Sequence, residues 1–179
     1  DWGVAFIKLD ELRQAHPDTL AGRDEWLKMG LAWGRAEIEA GQLAGFDRKF
    51  EDARKRFSQA CKVLDKILGV NRSHDAARAL RDEAGDLRKV AELAEQAVRA
   101  WEAQPSRRTE SVAILNDALT RIEGKDYATM AAVVQAMRQE IKAQIELIES
   151  ETNGVLEGER FLSDRRLDDA EQSFRQALN

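Results

Sequence analysis

Between Ala77 and Trp101 the apolar residues recur at spacings of three and four without a slip: Ala77, Leu80, Ala84, Leu87, Ala91, Ala94, Val98 and Trp101. Only an α-helix gathers residues so spaced on one side. Held over this length, the pattern is a seam that another helix must cover, and its small residues allow that helix to come close. Tyr127, Met130, Val134, Met137, Ile141, Ile145 and Ile148 make a second such seam. Phe50, Ala53, Phe57, Ala60, Leu64 and Ile67 make a third, with Lys49, Glu51, Asp52, Arg54 and Lys55 on the opposite face. One buried stripe per helix means that each helix needs a partner. With aromatic residues at 6% and few β-branched ones, the chain is too poor in strand formers for a sandwich or barrel. No apolar run approaches the roughly 20 residues of a membrane span. The expected class is all-α.

Breaks divide the pattern. His16-Pro17-Asp18 closes a first segment, and Gly45-Phe46-Asp47 parts two helical stretches. Gly69 to Ser73 reads as a glycine C-cap followed by a serine N-cap. Gln104-Pro105-Ser106 is a hard stop, because the residue before proline avoids the helical region. Gly124-Lys125-Asp126 reads as a stop with a cap, and Asn153-Gly154 and Ser163-Asp164 are weaker breaks. The seam of 73–103 runs through Gly85-Asp86, where a mid-helix glycine costs only about 1 kcal/mol. One long helix is therefore expected there.

Two stretches share a skeleton. From Gly41, residues Phe50, Ala53, Phe57 and Ala60 follow at offsets 9, 12, 16 and 19. From Gly158, residues Leu167, Ala170, Phe174 and Ala177 follow at the same offsets. Both copies carry an acid before the first alanine (Asp52, Asp169) and a glutamine before the last (Gln59, Gln176). This skeleton resembles the tetratricopeptide repeat, over 154–179 and over 32–61, with degenerate copies at Gly85-Asp86-Leu87 and Lys125-Asp126-Tyr127. The resemblance implies helical hairpins that stack on one another, with a small residue where the two helices cross. The anchors Phe50, Leu87, Tyr127 and Leu167 lie 37, 40 and 40 residues apart, longer than the family's period of about 34.

A second resemblance covers the N-terminal part. Leu9-Asp10-Glu11-Leu12, then the run from Asp24 through Trp26 and Gly30 to Ala32, then Gly45-Phe46, is similar to the small helical domain C-terminal to some phage and plasmid primases. It implies a helical accessory domain of a DNA replication protein.

Little in the chain points to chemistry. The two histidines, His16 and His74, stand at no metal-ligand spacing from each other or from Cys61. Glu92, Glu95, Glu146 and Glu149 lack the histidines that carboxylate metal sites in helical bundles use. No glycine-rich phosphate loop is present, and the serines have no His–Asp context. No catalytic residue, cofactor or metal site is expected, and the chain is not read as an enzyme. Cys61 is expected to be a buried small hydrophobe. Trp26 and Trp33, seven apart, are expected to share packing, and Trp101 to lie between helices; the alternative for each is an anchor for a partner.

The net charge of -5 argues against a free-standing nucleic-acid binder. Yet 48–89 holds 12 Lys and Arg against 7 Asp and Glu, while the segment from Glu140 to Glu171 is strongly acidic. A nucleic acid would meet Arg54, Lys55, Lys62, Arg78, Arg81 and Arg88, without the interleaved aromatic residues that single strands favour. Such asymmetry also steers a charged partner or pairs molecules head to tail.

The expectation is thus an all-α chain of antiparallel hairpins, stacked as a short tetratricopeptide-like α-solenoid with some long helices. An N-terminal helical segment, 1–17, precedes a single helical-repeat domain, 18–179. The chain starts at Asp1 and stops within a helical pattern, so it is read as a fragment of a larger protein of bacterial type, cytoplasmic by default. The function expected from the resemblance is a non-catalytic protein–protein interaction scaffold. Its partner is another protein or peptide, or another domain of the parent, and not a membrane or nucleic acid. The helix A residues mapped to the concave surface are Arg35, Gln42, Thr152 and Glu159. Homodimerisation through the long seams, and the replication accessory role, are the alternatives.

Overall fold

The computed structural model describes residues 2–16, 20–103 and 108–177. These form seven helices and no strand: α1 (Trp2–Ala15), α2 (Leu20–Phe46), α3 (Phe50–Val70), α4 (Asp75–Ala103), α5 (Arg108–Ile122), α6 (Ala128–Ser163) and α7 (Leu167–Ala177). Each helix packs on the one before it, and α6 also returns to touch α2 and α4. The turns α2–α3, α3–α4 and α6–α7 are three or four residues long, so those neighbours run antiparallel.

The long-helix expectation holds: α4 passes through Gly85, where a Cβ would meet only the Arg81 guanidinium, at 3.6 Å. Its seam is covered within the chain by α3 on one side and α5 on the other. Ala77, Ala84, Leu87, Ala91 and Ala94 are buried, and so are Val90, Leu93 and Ala97 beside them. The neighbouring Asp86 is a latch. It accepts hydrogen bonds from Lys125 Nζ at 2.5 Å and from Tyr127 Oη at 3.3 Å, tying the α5–α6 turn to the middle of α4.

Four expectations at the breaks are corrected. Helix α3 does not end at Gly69 but runs to Val70, where the Asn71 N–H donates to the Ile67 carbonyl at 2.8 Å. The N-cap of α4 is His74, whose Nδ1 accepts from the Ala77 N–H at 3.3 Å; the Ser73 hydroxyl donates instead to Asn71 Oδ1 at 3.1 Å. Asn153-Gly154 does not interrupt α6. Gly154 serves close approach, since a Cβ there would lie 2.9 Å from Ala177 Cβ on α7. Asp126 is exposed, and α6 starts after Tyr127, which makes no side-chain cap. Gly124, with φ +73°, closes α5 in the left-handed conformation that glycine tolerates. The stop at 104–106, like Pro17 and Asp18, lies outside the described residues.

Helix α1 is held by aromatic packing. Phe6 is buried and stacks on the fully buried Trp26 with ring centroids 5.3 Å apart, and meets Trp33 at 5.4 Å. Trp26 and Trp33 thus share packing as their spacing predicts. Gly30 makes the crossing possible, because a Cβ there would sit 2.6 Å from the Phe6 ring. The buried Asp10 is paired by Arg13 and by Lys66 of α3. Cys61 is buried, and burial pushes its thiol pKa up.

The two copies of the repeated skeleton form two hairpins with the same turn. After α2, Arg48 N–H donates to the Gly45 carbonyl and Lys49 N–H to the Ala44 carbonyl. After α6, Arg165 N–H donates to Leu162 and Arg166 N–H to Phe161. Both pairs are the two bonds of a Schellman cap, and both place arginine, at φ 59°, where glycine is usual. The glycine crossing is also shared. A Cβ on Gly41 would lie 2.6 Å from the Phe57 ring, and one on Gly158 would overlap Phe174 likewise.

Candidate interaction surface

The seam of α6 outruns the helices that cover it. Met130 and Val134 are fully buried, Met137 is 4% exposed and Ile141 7%. Ile145 and Ile148 are half-buried. The same three-four spacing continues through Thr152, Val155, Glu159 and Leu162, where Val155 is 42% exposed and Leu162 47%. Over this second half, among the described residues, α7 packs against the Gly154 and Gly158 side of α6. One helix is therefore a core helix at its start and, at its end, an open ridge on which Val155 and Leu162 alternate with Thr152 and Glu159.

The ridge begins in a cleft of about 260 Å³ lined by Arg48, Val98, Trp101, Met137, Glu140, Ile141 and Gln144. Its floor is apolar, and Trp101 stands half-buried in the wall. At the lip, Arg48 forks onto Glu140 with bonds of 2.9 and 2.7 Å. The hydrogen bonds from Arg48 hold the Glu140 pKa below the usual carboxylate range and raise that of Arg48 in turn. The pair is half exposed on both sides, so it orients more than it stabilises. A broader, open groove of about 690 Å³ runs between α2 and α3, bridged by the Arg56–Glu37 ion pair and edged by the exposed Leu43.

The residues expected to bind a partner fall in two places. Arg35 is exposed and Gln42 half-buried, both on α2. Thr152 and Glu159 are exposed on α6, flanking Val155 on the ridge. No hydrogen bond or ion pair between described residues joins the two pairs. Along α6, Glu159 lies roughly 28 Å beyond Glu140, where α2 is met. Sequence reasoning did not single out Arg48, and named Glu140 only as the start of an acidic segment; Met137 and Trp101 were visible as seam residues, but not that they line an open cleft.

Most of the basic residues of the middle segment are neutralised locally. Arg54 pairs with Glu95, Lys55 with Glu51, Arg78 with Asp75 and Arg81 with Asp65. Lys62 and Arg88 are exposed and make no ion pair with a described residue. Compared with protein-family models, with curated proteins and with solved structures, the chain matches none. Among the described residues no group of His, Cys, Asp and Glu could hold a metal ion, and no helix is long and apolar enough to cross a membrane.

Proposed function

We propose that this chain is a non-catalytic helical-repeat scaffold that docks another protein along the second half of α6. The carrying observation is the seam that leaves the core at Ile141, passes through the half-buried Ile145 and Ile148, and ends in the exposed Val155 and Leu162. Exposed apolar residues that share one helix face are interaction surfaces more often than accidents. The matching turns and glycine crossings of the two hairpins support a tetratricopeptide-like, solenoid-type stacking. In this reading Thr152 and Glu159 are polar contacts beside the apolar anchors, Trp101 closes the inner end of the site, and Arg35 and Gln42 stay outside it.

Covalent capture of partners from host extract tests it, with wild-type chain and the Val155→Glu variant as baits. Proteins retained by wild type and lost by the variant support the reading. Equal capture by both baits overturns it. Light scattering on the same samples separates the self-assembly reading, which the open ridge also serves: a dimer that Val155→Glu dissolves makes the ridge a homodimer seam.

A further inference from the structure

Buried residues floor the cleft beside Trp101. Met137 and Ile141 of α6 are buried, and the half-buried Val98 and Trp101 of α4 stand over them. Protein interiors leave few gaps larger than a water molecule between such groups. Here about 260 Å³ is left, where the α2–α3 turn, α4 and α6 all meet. The cleft lies on the half of α6 that returns to α2 and α4, and not on the open second half. An apolar cavity of about 150 Å³ holds benzene, and sites for drug-sized ligands begin at about 300 Å³. The cleft therefore suits one ring or one branched chain. Trp101 offers it an aromatic face and Met137 a thioether, and both favour a ring.

The lip is a fixed dipole. Arg48 gives Glu140 one hydrogen bond from each Nη, and each carboxylate oxygen takes one. Among the described residues no other bond reaches either group, so the Nε edge of the guanidinium and a lone pair on each oxygen are unused. Both groups are half exposed. A ligand with one charge is attracted by one pole of this pair and repelled by the other. A ligand carrying both charges is attracted by each.

We infer that the cleft binds a free α-amino acid with a bulky apolar side chain, of the phenylalanine or leucine class. The side chain enters between Trp101 and Met137, the carboxylate lies on the Nε edge of Arg48, and the ammonium lies on Glu140. An α-amino acid carries both charges on the carbon that bears its side chain. That matches a dipole at the mouth with an apolar pit behind it. A residue inside a peptide carries neither charge, and a terminal residue carries only one. The inference stands apart from the docking reading, which concerns the second half of the helix. Bound here, the ligand joins the α2–α3 turn to α4 and α6.

Equilibrium dialysis of the full chain against radiolabelled L-phenylalanine tests it. One saturable site is expected, with a Kd of about 1 mM or tighter, the range open to a ligand of this size. Phenylacetate and phenethylamine, which each keep one charge, are expected to compete about fivefold less well, and N-acetyl-phenylalaninamide, which keeps neither, less well again. Val98→Phe fills the cleft and abolishes binding. Glu140→Gln weakens L-phenylalanine and spares phenylacetate, whereas Arg48→Gln weakens L-phenylalanine and spares phenethylamine. A merely structural role of the pair would not give that crossed selectivity. Helix content and unfolding midpoint are followed for each variant. Overturning results are no saturable binding up to about 10 mM, equal competition by all these compounds, or binding that survives Val98→Phe. If Val98→Phe fails to fold, the crossed selectivity decides, and its absence overturns the inference. Capture of a partner through Val155 is a separate measurement, so the two readings fail independently.

Discussion

In the first hairpin Phe50, Ala53, Phe57 and Ala60 are all buried, whereas of their counterparts Leu167, Ala170, Phe174 and Ala177 only Ala170 is. The turns match bond for bond, and so do the glycine crossings. The difference lies in the surroundings. Helices α1, α4 and α6 pack on the α2–α3 pair, while the second hairpin is its own outer layer. A repeated skeleton therefore sets how two helices meet. It does not set how deeply the pair is buried, and residues equivalent in sequence carry unequal shares of stability.

Truncating the aromatic at the glycine crossing gives the largest expected contrast. Phe57 is fully buried, and Phe57→Ala is expected to cost about 3–5 kcal/mol in urea unfolding. Phe174→Ala, at a half-buried site, is expected to cost less than half of that. Equal losses would mean that the second hairpin is packed as tightly as the first. Crowding the crossing comes next. Gly41→Ala presses a methyl group on a ring with no room to move, an overpacking cost of about 1–3 kcal/mol. Gly158→Ala is expected to cost less, because Phe174 can swing outward.

A pH titration probes the covering helix. Burial, with Asp86 and Glu83 nearby, pushes the Tyr127 pKa up to about 12. The neutral phenol is thus favoured in the folded state. That contribution is intact below the ordinary value near 10 and is lost as pH rises toward 12. As the chain has one tyrosine, its absorbance titration reads this group directly. A midpoint near 10 in the folded protein would mean that the α5–α6 turn is not latched to α4. The smallest contrast is at the turns. Arg165→Gly relieves a left-handed arginine and is expected to stabilise by about 1 kcal/mol. Arg48→Gly is expected to gain less, since it also removes the fork onto Glu140. Thermal midpoints of the two variants check the difference.

The helical seams were legible because helical periodicity is a local property. Residues 77–101 and 127–148 announce their buried faces whatever packs against them. Gly41 and Gly158, with their aromatic partners, were legible as hairpins for the same reason, since the contact spans fewer than twenty residues. The breaks were less secure. Gly69 and Asn153-Gly154 carry breaker residues, yet α3 and α6 run through them: a helical glycine costs only about 1 kcal/mol, and Gly154 also serves where α7 comes close, whereas the side-chain position of Gly69 is open. The cap at His74 was missed because the side chain of Asn71 holds Ser73.

The candidate site was half legible. Thr152 and Glu159 could be placed on an outward face from the repeat alone. That the face is bare, that its inner end opens into the Trp101 cleft, and that Arg48 finds Glu140 92 residues away are tertiary facts. The sequence by itself determined three helical stripes, the crossing glycines and the shared hairpin skeleton, because those interactions are local. Only the tertiary structure decided that α6 returns to α2, burying its first half and leaving its second half open. A helix has the same period whether its stripe is covered or bare, and cover comes from residues far away in the chain.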